Sequence, residues 1–150
     1  LHSIRRRQRQ MCIRDRELSM QLDQVGGFNG LKARSQQIRD DAVAYIKAQK
    51  KIGKKIAAFG AAAKGNVFLN YCGIGADSID FVVDDTPAKQ GKFLPGSHIP
   101  VVSATEIINK KPDIIVILPW NLSSEISKKL KSNEKWQGEL ATFIPKLNII

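Results

Sequence analysis

The chain has 150 residues, 43% of them hydrophobic and 25% charged, which suits a soluble globular domain with a sizeable core. No apolar run approaches the roughly 18 residues of a membrane span, and the basic start lacks the apolar stretch of a signal peptide, so a cytoplasmic location is expected. The formal charge of +10 invites a nucleic-acid reading, but its distribution argues against one.

Residues 1–16, LHSIRRRQRQMCIRDR, hold six arginines against Asp15 and so carry +5, half of the total. This leader shows no helical period, hairpin signal or cap, and regular structure is not expected there. It resembles translated sequencing-adapter read-through and is read as extraneous to the domain. A nucleic-acid arm is the other reading, ranked last because a basic tail without a reading module makes only non-specific contacts. It predicts steeply salt-dependent DNA binding that disappears with residues 1–16. Beyond the leader only Cys72 and His98 remain of their kinds, so no internal disulfide and no zinc-ligand spacing is expected. Cys72, with no base beside it, reads as a small packing residue.

Residues 17–30 contain VGGFNG and read as a linker. From residue 31 a helical pattern places Leu31, Ile38, Ala42, Tyr45, Ile46 and Ile52 near one face, closed by Gly53. KIAAFG (55–60) predicts a short buried strand, NVFLNYCG (66–73) a helix and IDFVVDD (79–85) a strand. TPAKQGKFLPGSHIP (86–100) is rich in turns, and Val101–Val102 is a minimal strand. Ser103 and Glu106 have capping-box spacing for a helix. Residues 114–118 form the most apolar strand, NLSSEISKKLKS (121–132) a helix and ELATFIP (139–145) a last strand. Strands alternating with helices, the strands nearly continuous in apolar residues, predict an α/β, Rossmann-like fold. The sheet would be mostly parallel, with helices on both faces.

Ligands of such sheets bind beyond the carboxyl ends of the strands. Four segments would meet there: Gly60–Asn66, Asp84–Thr86, Pro119–Asn121 and Pro145–Lys146. Gly60 allows a tight turn, the alanines allow close approach, and Lys64 adds a charge to helix-opening amides, a combination suited to phosphate. The spacing is neither a Walker A loop nor G-x-G-x-x-G, and tight helix-on-strand packing explains it equally well. Asp84 and Asp85 stand where a Rossmann acid meets ribose, though Asp-Asp-Thr-Pro is also good turn chemistry. Asn121 is a candidate ligand contact or an N-cap. Trp120 is a candidate to stack on a base or a sugar, or else core or the face of a missing partner. His98 is a candidate acid or base, or a structural loop residue.

GAAAKGNVFLNYCGI, FVVDDTPAKQGKFLPGSHIPV and PDIIVILPWN, in that order, resemble the C-terminal domain of S-adenosylmethionine-dependent sugar C-methyltransferases, over roughly Leu31 to Pro145. The resemblance implies a full enzyme with a zinc-binding region and a methyltransferase domain upstream, the latter holding S-adenosylmethionine. A nucleotide-linked sugar would lie between that domain and this one. There a base removes a proton beside a keto group, and the carbanion attacks the sulfonium methyl. It also implies that Lys64, Gly65 and Asn66 face the substrate's diphosphate, with Gly60, Asp84, Lys89, Gln90, His98 and Asn121 in the same motif segments. No glycine-rich methyl-donor loop, Tyr/His pair or zinc cysteines occur here, and Val67 stands where many relatives have Thr. The chain is therefore expected to be a C-terminal fragment that binds part of a substrate, holds no cofactor and does not catalyse alone. The alternative is a stand-alone dinucleotide- or coenzyme-A-binding module.

Overall fold

The computed structural model describes residues 2–22, 24–132 and 135–150, with side chains described from residue 11 onward. The chain divides into two compact units, residues 1–36 and 37–150. In the first unit, α1 (His2–Ser19) is followed by a 3-10 turn, Val25–Phe28. This helix occupies the leader for which no regular structure was expected. The segment holds neither glycine nor proline, and arginine, glutamine and methionine favour helix. From Met11 to Ser19 its side chains are all exposed, so over that stretch propensity rather than a packed stripe carries the helix.

α2 (Leu31–Lys51) runs across the unit boundary, with Ala42 and Ile46 buried and Gly53 beyond its end at φ +80°. Leu31 and Ile52, expected on the same face, are 52% and 68% exposed, so the buried stripe is shorter than its pattern.

In the second unit a six-stranded sheet forms from β1 (Ile56–Phe59), β2 (Phe81–Val83), β3 (Val101–Val102), β4 (Ile114–Ile117), β5 (Glu139–Thr142) and β6 (Asn148–Ile149). Their order is β3-β2-β1-β4-β5-β6; the first five are parallel and β6 pairs antiparallel with β5. The sequence reading has no counterpart of β6, whose two residues are exposed. The α/β architecture is the one expected.

Alternation along the strands divides the core. Ile56, Ala58, Val82, Ile114 and Val116 face α2 and α3 (Ala63–Cys72), where Phe68, Leu69 and Ala42 meet them. Ala57, Phe59, Phe81, Val83, Ile115 and Ile117 face α4 (Thr105–Lys110) and α5 (Ser123–Lys131), against Ile107, Ile126 and Leu130. Strands buried on both faces read as unbroken apolar runs for this reason. Truncating a fully buried isoleucine such as Ile115 to alanine is worth about 2–5 kcal/mol.

The capping box expected at Ser103 and Glu106 does not form. Ser103 Oγ lies 2.6 Å from Thr105 Oγ1, while Glu106 accepts from Asn109 and pairs with Lys110 at 3.3 Å. Cys72 is buried, and burial pushes its thiol pKa up to about 11, which fits a packing residue. Among the described residues no helix is long and apolar enough to cross a membrane.

Candidate functional site at the carboxyl ends of the strands

The strand order reverses between β1 and β4: from β1 the chain builds outward through β2 and β3, then returns to the other side of β1 for β4. This switch point is where the helices leaving neighbouring strands part, opening a crevice at the carboxyl edge. Two segments border it, Gly60–Asn66 after β1 and Leu118–Asn121 after β4.

Gly60 follows β1 directly at φ +92°, with its N–H donating to Val83 O at 2.7 Å. A Cβ there would stand 2.4 Å from Pro119 Cγ, so both the backbone conformation and the approach of the β4 segment require glycine. The turn closes with Ala62 N–H donating to Gly60 O at 2.8 Å, and α3 starts at Ala63, a turn earlier than the sequence predicts. Lys64 and Gly65 therefore belong to the helix's first turn. Gly65 is buried, and a Cβ on it would lie 2.7 Å from Leu118 Cβ. The glycines of this loop therefore serve packing, while Lys64 is left exposed.

The amides of Ala63, Lys64 and Gly65 precede any acceptor within the helix and carry its positive end. Lys64 Nζ donates to Asn121 Oδ1 across the crevice and lies 4.8 Å from the centroid of the Trp120 ring. A cation over an indole at an exposed site is worth about 0.5–1 kcal/mol, enough to bias the lysine's position. No carboxylate pairs with Lys64 among the described residues. Asn121 is not an N-cap: α5 is preceded by the 3-10 turn Trp120–Leu122, and Leu122 occupies the capping position. Asn66 lies one turn into α3, half-buried, with its Oδ1 enclosed and without a hydrogen-bond partner.

The segment after β2 is arranged differently. Asp84 is 8% exposed, and its Oδ2 accepts from Ala61 N–H at 2.7 Å and from Lys89 Nζ at 3.1 Å. Its Oδ1 accepts from Thr86 N–H at 2.9 Å. Burial opposes ionisation of this carboxyl, but hydrogen bonds from Thr86, Lys89 and Ala61 outweigh it and hold the pKa below the usual carboxylate value. Lys89 Nζ also donates to Ala61 O at 3.0 Å, and Gln90 Nε2 to Asp84 O at 2.9 Å. Asp85 is exposed and pairs with Lys129 at 2.6 Å.

The sheet therefore brings Gly60, Lys64, Gly65, Asn66, Asp84, Lys89, Gln90 and Asn121 to one rim. It does not bring His98 there. His98 lies at φ +54° in the loop ahead of β3, at the amino end of a parallel strand and thus at the opposite rim. The same loop meets the last part of α3, where Asn70 Nδ2 donates to Pro95 O at 3.0 Å. Trp120, read from sequence as a stacking residue, core or partner face, packs against the core and lies under Lys64; its place there follows from β1 and β4 being neighbours, which spacing along the chain does not reveal.

The sequence profile of the C-methyltransferase C-terminal domain family matches residues 3–145. The chain belongs to that family. The match begins well before Leu31, where the sequence resemblance was placed, and takes in most of the arginine-rich leader. C-methyltransferase NovU of Streptomyces niveus is 39% identical to this C-methyltransferase domain over 98 residues, which cover 65% of the chain and 23% of that relative. The chain thus spans less than a quarter of the relative's length.

Two hollows lie away from the crevice. One of about 640 Å³ lies between α2 and the end of α3, and one of about 500 Å³ lies at the amino rim beside Trp136. Neither is lined by Lys64, Asn66 or Asn121, and the C-methyltransferase domain keeps its candidate binding groups on an open ledge.

Proposed function

We propose that this domain binds the diphosphate of a nucleotide-linked sugar and orients the sugar for methyl transfer to carbon within a larger C-methyltransferase. The observation that carries the reading is the arrangement at the switch point. A lysine with no carboxylate partner, a neutral amide oxygen and the first amides of α3 converge on the crevice, with an indole as one wall. A diphosphate would meet a positive helix end and one fixed cation. Holding it there restricts the attached ring to a small set of orientations, which is the contribution of positioning to rate.

The ledge fits a partner domain that supplies the facing wall. Val67 and Tyr71 follow Lys64 on the same side of α3 and are 67% and 48% exposed. That partner is the methyltransferase domain of the full protein. Family membership implies S-adenosylmethionine as the methyl donor of the whole enzyme. This chain's own residues fit the donor poorly, because the acids that would meet its ribose are engaged, Asp84 by three donors and Asp85 by Lys129. We assign the donor to the partner domain. The same engagement weighs against a stand-alone dinucleotide- or coenzyme-A-binding module.

Calorimetric titration of the chain with dTDP, with NAD and coenzyme A in parallel, tests the reading. Selective dTDP binding, weakened about tenfold or more in Lys64→Ala, is expected, since a charge-assisted contact to phosphate is worth at least about 1.4 kcal/mol. Preferential binding of NAD or coenzyme A, or dTDP binding indifferent to Lys64→Ala, sinks it.

A further inference from the structure

We propose that Asp84 and Lys89 are a positioning pair: they hold the Ala61 backbone, and through it the opening amides of α3, without touching the ligand. The inference rests on the diphosphate reading above and assigns these two residues a different part from the substrate contact that the sequence resemblance implies.

The geometry is explicit. An ionised carboxylate offers about four acceptor positions. Three at Asp84 are filled from within the chain, by Ala61 N–H, Thr86 N–H and Lys89 Nζ, and the residue is buried. Lys89 divides its ammonium between Asp84 Oδ2 and Ala61 O, so Ala61 is held at both its N–H and its carbonyl. On either side of Ala61, Gly60 N–H is fixed to Val83 O and Ala62 N–H to Gly60 O. Gln90 ties the far end of the same segment to Asp84 O. Every residue between β1 and α3 is thereby fastened to the end of β2 or to its neighbour. The amides of Ala63, Lys64 and Gly65 are aimed before any ligand arrives, which lowers the ordering cost of binding. The pair is internally neutral and adds little long-range attraction for an anion. Its influence on affinity must come through geometry.

The test uses a variant that conserves net charge, Asp84→Asn with Lys89→Met, because Asp84→Asn alone would release a lysine beside the phosphate. Titration with dTDP and with inorganic pyrophosphate separates positioning from ribose contact, since pyrophosphate has no ribose. Positioning predicts the same loss for both ligands, on the order of tenfold. In the ligand-free chain it also predicts faster exchange of the hydrogen-bonded amides of Ala61 and Ala62 while exchange in β4 is unchanged. A loss confined to dTDP means direct ribose contact and overturns the proposal. So does a lowered unfolding midpoint with both affinities intact, the mark of a pair that only holds the fold. If the double variant fails to fold, Lys89→Met alone, which keeps the two amide bonds to Asp84 but leaves its charge unpaired, is judged by amide exchange in the ligand-free chain and not by affinity; unchanged protection at Ala61 and Ala62 overturns the proposal. If the wild-type chain binds neither ligand, the diphosphate reading falls by itself. The clamp is then judged by exchange, and unchanged protection at Ala61 and Ala62 in the variant overturns it.

Discussion

At the amino ends of the strands, two lysines meet acids. Lys50 Nζ lies 3.0 Å from Asp80 Oδ1 and Lys54 Nζ 3.8 Å from Glu139 Oε2. The acids there also fasten strands together: Asp80 Oδ2 accepts from Ile56 N–H at 3.0 Å, and Asp113 Oδ2 from Lys55 N–H at 2.7 Å. At the carboxyl ends the same residue types recur, and Asp84 fastens a loop much as Asp80 fastens a strand. The difference is what remains. Lys64 meets a neutral oxygen and an aromatic face instead of a carboxylate, beside helix amides that have no acceptor within the helix. Lysines at the amino rim stand beside the negative ends of α2 and α4, while Lys64 stands beside the positive start of α3, which can attract an anion.

The largest effect that could break this contrast lies in the glycines. At the carboxyl rim Gly60→Ala must adopt φ +92° with its Cβ 2.4 Å from Pro119 Cγ, and a cost of about 2–4 kcal/mol is expected. At the amino rim Gly73 is the left-handed cap of α3 at φ +65°, and a Cβ added there would meet nothing within 4 Å. Gly73→Ala should therefore cost only about 1 kcal/mol. Urea unfolding followed by the fluorescence of Trp120 and Trp136, both in residues 37–150, measures the pair. Equal costs would mean that Pro119 yields and that the crevice is less tightly built than its distances imply.

Next in size is the lysine comparison. Lys64→Ala is expected to weaken dTDP binding about tenfold and Lys54→Ala to leave it within about twofold, since the latter charge is paired and on the other rim. Similar losses in both variants would reduce the attraction to general charge and dissolve the distinction between the rims.

Much of this arrangement is legible in the amino-acid sequence. β1, β2 and β4 can be read there because strands buried on both faces, such as Ile114–Ile117, leave unbroken apolar runs. Lys64, Asp84 and Asn121 are gathered by the rule that parallel strands end on one rim. The same rule, applied to the expected strand at Val101–Val102, would have set His98 three residues before a parallel strand and so on the amino rim. What is not legible depends on which strands are neighbours. The occupation of Asp84 needs the Ala61 backbone beside it, and the Lys64–Asn121 bond needs β4 next to β1. The start of α3 escapes sequence reading because Gly65 is a poor helix former taken in isolation; its contact with Leu118 is what the helix requires there.

Acid is expected to weaken the carboxyl rim through Asp84. The folded-state pKa of Asp84 is below its unfolded value, so its contribution to stability is complete above about pH 4 and is lost as pH falls through the lower, folded value. Unfolding midpoints from pH 6 down to 2 should therefore decline in the wild type. They should decline less steeply in the Asp84→Asn and Lys89→Met double variant, which has no carboxylate to protonate at that site. Superimposable slopes would show that Asp84 titrates as an ordinary exposed acid.

The smallest effect belongs to the amino rim. Lys50 and Asp80 form an ion pair whose side chains are 31% and 39% exposed, and water screens such pairs to about 0–1 kcal/mol. A double-mutant cycle on Lys50→Ala and Asp80→Asn isolates that coupling, which should shrink further between about 0.05 and 0.5 M salt by the shortening Debye length, from roughly 14 Å to 4 Å. Asp80→Asn alone should cost more than the coupling, because Asp80 also accepts the Ile56 amide, a bond independent of Lys50. A coupling above about 1 kcal/mol that resists salt would make the amino-rim pair as closely held as Asp84–Lys89. The difference between the rims would then lie in Lys64 alone.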